Sequence, residues 1–190
     1  MKFSKTQWRK VYKQKRKALP PEFRKAQSQK IFETLKETDW LAQAQNIHLF
    51  LSVEQLGEVS TQALIQFLWR AGKKVLIPKV EGHRLITCHY TPSTPMQQSR
   101  WGIWEPKTPS IVAEHEIDLV ITPLLICDTE GTRIGYGGGF YDAMFAQCRP
   151  DILKIGVNYF SPINEIITTY ESDVPLDYLV TGEATFSFKP

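Results

Sequence analysis

The run Asp118-Leu-Val-Ile-Thr-Pro123 limits the fold more than any other part of this chain. A continuous apolar strand of this kind is buried on both faces, and parallel sheets covered by helices provide that burial. The surrounding sequence agrees. Asn46 to Ser52 reads as a short strand and Lys74 to Pro78 as the next. Between them, Ser60 reads as an N-cap, Ala63, Leu64, Phe67 and Leu68 as a helical face, and Gly72 as the stop. Such a strand–helix–strand unit favours parallel pairing through a right-handed crossover. Leu85 to Tyr90, Ile152 to Val157 and Leu176 to Thr181 supply further strands. Thr91 to Val112, rich in Pro, Ser and Thr, reads as a loop over the body. The expected class is α/β with a largely parallel sheet, in one domain over residues 1–190.

The front of the chain is different in kind. Trp8, Val11, Tyr12 and Leu19 recur at helical spacing among lysines and arginines, which predicts an amphipathic helix over residues 4–18, stopped by Pro20-Pro21. A second helix follows, with Phe23, Ala26, Ile31 and Leu35 as its apolar stripe. Eleven of the 23 basic residues lie in the first 30 positions against Glu22 alone, so that segment carries +10 and the remainder −7. A front of this charge meets an anion, whether nucleic acid, membrane or a phosphorylated small molecule, or lies on the acidic body behind it. The N-terminus lacks the apolar core of a signal peptide, and the longest nearly uncharged apolar run, Leu119 to Cys127, is far too short to span a bilayer. Cys88, Cys127 and Cys148 have no C-x-x-C spacing, which argues against a disulfide framework or zinc finger and for a reducing cytoplasm.

Chemistry concentrates in Gly131-Thr-Arg-Ile-Gly-Tyr-Gly-Gly-Gly-Phe-Tyr-Asp142, read as a turn between the buried strand and a helix from Phe140 to Cys148. Glycines let backbone N–H groups approach a ligand, a helix N-terminus behind them attracts anions, and Arg133 adds a charged fork. The run is neither a P-loop nor a dinucleotide fingerprint. On glycine alone, a tight strand-to-helix turn and a phosphate site are equally good readings. Lys5 and Arg9, four apart, share a helix face and can clamp phosphates. Glu58 follows a strand end, where open α/β sheets place ligands. Asp177 opens the last strand as a turn residue or as a second carboxylate for a metal, and hard oxygen ligands point to Mg²⁺ over zinc. Trp101 and Trp104 either stack on a flat heterocycle or cover the core.

These residues together resemble the 5-formyltetrahydrofolate cyclo-ligase family, also called methenyltetrahydrofolate synthetases. The resemblance runs through Lys5-x-x-Trp8-Arg9-Lys10, Arg16-x-Ala18-Leu19, Phe50-Leu51-Ser52, Gly57-Glu58-Val59, Trp101-Gly102-Ile103-x-Glu105-Pro106, the glycine run to Asp142, and Asp173-Val174-Pro175-Leu176-Asp177. It implies a three-layer αβα fold like that of sugar-phosphate isomerases and CoA transferases. It also implies ATP- and Mg²⁺-dependent conversion of 5-formyltetrahydrofolate to 5,10-methenyltetrahydrofolate, ADP and phosphate, in a cytoplasmic monomer with a reduced folate as its partner and neither nucleic acid nor membrane. By the same resemblance Lys5, Arg9, Arg133, Ile134, Gly135, Tyr136, Gly137, Gly138, Gly139, Phe140, Tyr141 and Asp142 hold ATP. Leu51, Glu58, Trp101 and Tyr136 hold the folate, Asp142 and Asp177 the metal, and Arg133, Tyr141 and Asp142 stand nearest the chemistry. Ala143, Trp104 and Ser172 depart from the family pattern, and Glu54-Gln55 lengthens the loop before Glu58. Three rival readings are another enzyme on the same fold, a folate-binding member without turnover, and a basic RNA-binding protein.

Overall fold

The structure is a computed structural model describing residues 3–99 and 102–189. Helix α1 (Lys5–Ala18) starts with a capping box, Ser4 Oγ accepting from the Gln7 N–H and the Gln7 side chain accepting from the Ser4 N–H. Pro20-Pro21 ends it as expected, and α2 (Pro21–Lys36) begins at once, followed by α3 (Asp39–Gln43). Strand β1 (Asn46–Leu49), helix α4 (Gln62–Arg70) and strand β2 (Lys74–Glu81) form the expected unit. Then come β3 (Arg84–His89), β4 (Met96–Gln98), β5 (Trp104–Pro106), β6 (Ile111–Val112) and β7 (Leu119–Pro123). The chain finishes with β8 (Ile126–Cys127), β9 (Arg133–Ile134), α5 (Phe140–Phe145), β10 (Leu153–Val157), β11 (Tyr178–Val180) and β12 (Thr185–Ser187).

The main sheet has eight strands in the order β12-β11-β10-β7-β1-β2-β3-β6. Its centre, from β11 to β2, is parallel, and its edges are antiparallel. The apolar strand β7 lies between β1 and β10, where both faces are covered. Residues alternate cleanly between those faces. Ile47, Leu49, Val75, Ile77, Leu119 and Ile121 meet the helix side formed by α2 and α4. Leu76 and Val120 meet Met144 and Phe145 of α5 on the other. The result is the three-layer αβα architecture. Because β1 pairs with β2 on one side and with β7 on the other, the strand order switches at β1. Ligands of such sheets sit at the switch, outside the C-terminal strand ends.

The strand after β2, expected without a direction, returns antiparallel, because Gly82 (φ +62) closes a hairpin before it. Other expectations need correction. The expected loop over 91–112 contains a β4–β5 hairpin and the edge strand β6. Thr61, not Ser60, is the N-cap of α4, and its hydroxyl donates to Phe50 O at 2.8 Å instead of capping the helix. The stripe on α2 is also displaced. Phe23 and Ala26 are exposed, while Gln27 and Ser28 are buried beside Ile31 and Leu35. Ser28 can be buried because its hydroxyl bonds the Tyr159 hydroxyl and accepts from the Ser60 N–H at 3.0 Å.

Two positions carry stability predictions. Gly131 has φ +80, and a Cβ there would lie 2.8 Å from Leu176 O and 2.9 Å from the Phe188 ring. Gly131→Ala is therefore expected to cost about 2–3 kcal/mol, read as a lower urea midpoint at unchanged slope. His48 is wholly buried in β1 between Leu76 and Val120, and neither ring nitrogen has a hydrogen-bond partner among the described residues. Burial drives its pKa from 6.5 down to about 3. Between those values the unfolded chain binds the extra proton, so stability falls with pH by about 1.4 kcal/mol per unit below the ordinary histidine pKa. His48→Leu should flatten the acid limb of the stability curve. An unchanged slope between pH 7 and pH 4 would refute this.

Candidate active site

The glycine run does not follow β7 directly. The β8–β9 hairpin intervenes and carries the run out over the C-terminal strand ends. Helix α1 packs on this hairpin through Trp8 and Tyr12, which meet Ile126 and Ile134. That contact fixes where the helix cations lie. Gly137 is left-handed (φ +106), and a Cβ there would come within 3.3 Å of the Arg9 guanidinium. The bare backbone lets Arg9 lie across the loop, its Nε donating to Gly135 O at 3.1 Å. Gly139, also left-handed (φ +65), is the N-cap of α5.

Arg133 stands behind the loop with its side chain 6% exposed. Its Nη2 donates to Asp142 Oδ1 at 2.6 Å, its Nη1 donates to Val174 O, and its guanidinium lies 4.9 Å from the centre of the Phe145 ring. Burial lowers the Arg133 pKa against the opposing pull of Asp142. Asp142 Oδ1 also accepts from the Val174 N–H at 3.0 Å, while Oδ2 has no partner among the described residues. Lys5 pairs with Asp173 and lies 4.3 Å from the centre of the Tyr170 ring. Burial of Asp173 opposes its charge, but the Lys5 bond, the Tyr170 N–H and the Arg133 charge outweigh it and lower its pKa. Lys5, Arg9 and Arg133 thus surround a glycine loop that ends on a carboxylate with one open oxygen.

The second half of the site follows β1. Leu51 leaves the strand partly buried, and a short helical turn through Gly57 (φ +62) brings Glu58 back beneath it. Glu58 Oε2 accepts from the Val53 N–H at 2.8 Å, and Oε1 accepts from the Tyr136 hydroxyl at 2.7 Å. Burial raises the Glu58 pKa, with both hydrogen bonds and the Arg16 charge acting against it. The Tyr136 hydroxyl in turn accepts from Arg16 Nη1 at 2.9 Å. Arg16 is 3% exposed and also donates to Leu124 O and Asn158 Oδ1. Tyr136 belongs to the glycine run, so one residue joins the anion loop to the carboxylate pocket.

Other expected site residues are placed differently. Tyr141 is turned into the core, its hydroxyl buried without a partner among the described residues and its ring 6.1 Å from His48. Helix geometry explains this, because Tyr141 and Phe145, four apart, share the face that α5 lays on the sheet. Asp177 shares no partner with Asp142. Its Oδ2 accepts from the Lys154 N–H at 2.7 Å and pairs with Lys154 Nζ at 3.1 Å, and Lys189 lies 3.8 Å from Oδ1. Its carboxylate is neutralised by these two lysines. Ile134 is buried in β9, Phe140 packs beside Gly138, and Trp101 lies outside the described residues. Among the described residues no cluster of three or more His, Cys, Asp or Glu is placed to hold a metal.

Three residues had no role in the sequence reading. Arg16 and Asp173 stand in blocks that carry the resemblance but were given none, although Arg16 continues the series Trp8, Tyr12, Arg16 at four-residue steps along the buried face of α1, where a charge is a signal. Tyr159, whose hydroxyl donates to Glu58 O at 2.8 Å, gave no local signal.

A largely parallel α/β sheet with arginines at a glycine loop and a partly buried carboxylate at its switch point is the architecture of an α/β enzyme with its site at the strand ends. The family model for 5-formyltetrahydrofolate cyclo-ligases matches residues 1–182. A 5-formyltetrahydrofolate cyclo-ligase of Haemophilus influenzae is 39% identical over 74% of this chain and 77% of its own length. The one of Escherichia coli K12 is 32% identical over 90% and 96%. The NMR structure of Aquifex aeolicus 5,10-methenyltetrahydrofolate synthetase superposes with a TM-score of 0.84 at 28% identity, over 98% of this chain and 93% of that one. The chain belongs to the 5-formyltetrahydrofolate cyclo-ligase family.

Proposed function

We propose that this protein cyclises 5-formyltetrahydrofolate to 5,10-methenyltetrahydrofolate, using ATP and Mg²⁺ and releasing ADP and phosphate, with the whole chain acting as one catalytic unit. The observation that carries this reading is Tyr136. It lies within the glycine run and hydrogen-bonds Glu58, so a phosphate held by the loop and a folate held by Glu58 share one cleft.

The residues divide the work. Lys5, Arg9 and Arg133 oppose phosphate charge, and the glycine backbone lets the phosphates approach closely. Phosphoryl transfer asks mainly for such positioning and neutralisation. The open Oδ2 of Asp142 suits a hard cation, and Arg133 holds the carboxylate in place through Oδ1. A Mg²⁺ ion held by Asp142 would supply neutralisation of phosphate charge. Glu58 accepts from the N–H edge of the pterin, with Leu51 against its apolar surface. The formyl oxygen attacks the γ-phosphorus as the bond to ADP breaks. N10 then bonds the activated carbon, its proton is lost and phosphate departs.

The test is an absorbance assay for the conjugated methenyl product, with 5-formyltetrahydrofolate and Mg²⁺, run with and without ATP. Product only with ATP supports the assignment. Folate binding without product favours a binding protein, and turnover of a phosphosugar or CoA thioester without ATP favours another enzyme of this fold. On α1, Lys5, Arg9 and Arg16 turn inward to the site, an arrangement that favours a small ligand over nucleic acid as the helix's anion.

A further inference from the structure

The buried face of α1 consists of Trp8, Tyr12 and Arg16. Two aromatic rings are enough to dock a helix, yet the third member is a charge. Its hydrogen-bond partners are all neutral, namely the Tyr136 hydroxyl, Leu124 O and Asn158 Oδ1, and it forms no ion pair among the described residues. A buried cation without a contacting carboxylate is costly, and an apolar side chain would dock the helix at less expense. The charge must therefore answer to something it does not touch.

That group is Glu58. The Tyr136 hydroxyl accepts from Arg16 Nη1 at 2.9 Å and donates to Glu58 Oε1 at 2.7 Å. The cation and the carboxylate thus stand no farther apart than two hydrogen bonds laid end to end. A guanidinium has no acceptor, so the tyrosine cannot donate to Arg16, and its hydrogen is left for Glu58. Arg16 also approaches Glu58 along the backbone. Its Nη2 donates to Asn158 Oδ1 at 3.4 Å, the same oxygen accepts from the Tyr159 N–H at 2.9 Å, and the Tyr159 hydroxyl donates to Glu58 O at 2.8 Å. Its stem passes beside Gly57, where an added Cβ would lie 3.4 Å from Arg16 Cγ.

We propose that Arg16 is a positioning residue for the folate, aiming the Tyr136 hydroxyl at Glu58 and serving as the counter-charge of that carboxylate. The proposal rests on the cyclo-ligase reading above, in which Glu58 receives the pterin. The other charged or titratable groups around Glu58 are Arg24, Lys25 and Glu54 along the cavity beside it, Tyr159 after β10 and Tyr141 of α5. Burial pushes the hydroxyls of Tyr136, Tyr141 and Tyr159 up in pKa, so they stay neutral. Neither Arg24 nor Lys25 is hydrogen-bonded to Glu58 among the described residues. Burial raises the Glu58 pKa, and the two hydrogen bonds and the Arg16 charge oppose that rise. Without Arg16 the carboxylate takes up its proton at a higher pH.

The test measures the folate KM against pH, with ATP varied separately, in wild type, Arg16→Met, Glu58→Gln and the double variant. Arg16→Met should raise the folate KM about tenfold, leave kcat and the KM for ATP within about twofold, and move the acid climb of the folate KM upward by about one pH unit. In the Glu58→Gln background the same substitution should change the folate KM by less than about twofold, because the group through which Arg16 acts is gone. Arg16→Lys, which keeps the charge, should leave the acid climb near its wild-type place. A loss of the same size in both backgrounds would overturn the proposal, as would an equal rise in the KM for ATP, since either makes Arg16 only a dock for α1. If Arg16→Met does not fold, Arg16→Gln, which can still donate to Tyr136 without a charge, takes its place throughout. If the wild type makes no methenyl product, the activity reading fails first, and calorimetric folate affinity against pH in the same four proteins still decides the role of Arg16.

Discussion

Asp142→Asn is expected to lower kcat by about 10²–10³ while leaving the KM for folate within about twofold. The reason is the division of labour between its two oxygens. Oδ1 accepts from Arg133 and from the Val174 N–H, and an asparagine oxygen can accept both bonds. The loop and α5 should therefore keep their shape. What is lost is the negative charge, which balances the buried Arg133 and, at the open Oδ2, suits a cation, so a lower melting temperature accompanies the loss of rate. Raising Mg²⁺ should recover part of the rate if the carboxylate acts through the metal. A folate KM that rises steeply with kcat preserved would place Asp142 on the folate and reverse the assignment.

Glu58→Gln is expected to raise the KM for folate by about 10- to 100-fold, since a hydrogen bond to a charged group is worth about 1.5–3 kcal/mol. The two oxygens of Glu58 accept from two different donors, Val53 N–H and the Tyr136 hydroxyl, and glutamine keeps an acceptor for only one of them. A modest drop in melting temperature is therefore part of the expectation. The wild type should also have a pH signature. Burial raises the Glu58 pKa, so the acceptor charge is lost as pH falls through that raised value, and the folate KM should climb on the acid side. In Glu58→Gln that climb should vanish. An unchanged KM in the variant, or an unaltered acid climb, would remove Glu58 from the substrate site.

The α/β class was legible because β7, β1 and β10 are short apolar runs between helical or turn segments, and such runs have few other places to go. The strand at β3 was legible but its antiparallel return was not assigned, although Gly82 between two strands is a hairpin signal. The β4–β5 hairpin was hidden by three-residue strands in a segment dominated by turn formers. Phe23 was read as core on periodicity alone, whereas the buried face of α2 is set by the polar partners of Ser28. At the site, local spacing marked the glycine run and Glu58 as separate features. It could not mark their union, because Tyr136 reaches Glu58 across 78 positions and Arg16 across 120. Contacts of that separation leave no periodicity to read. The two lysines beside Asp177 were equally hidden, because Lys154 lies on a neighbouring strand and Lys189 twelve positions further along the chain.

Helix α1 touches the sheet's own strands little. It docks on the β8–β9 hairpin and reaches residues 124–173 through Lys5, Arg9 and Arg16. Its partners lie more than a hundred positions further along the chain, so its docking waits on the folding of that later segment. Undocking α1 would uncover Trp8, Tyr12 and Arg16 and take Arg9 from the glycine loop while the eight-stranded sheet stays paired, so α1 amides are expected to exchange with solvent sooner than those of β1 and β7.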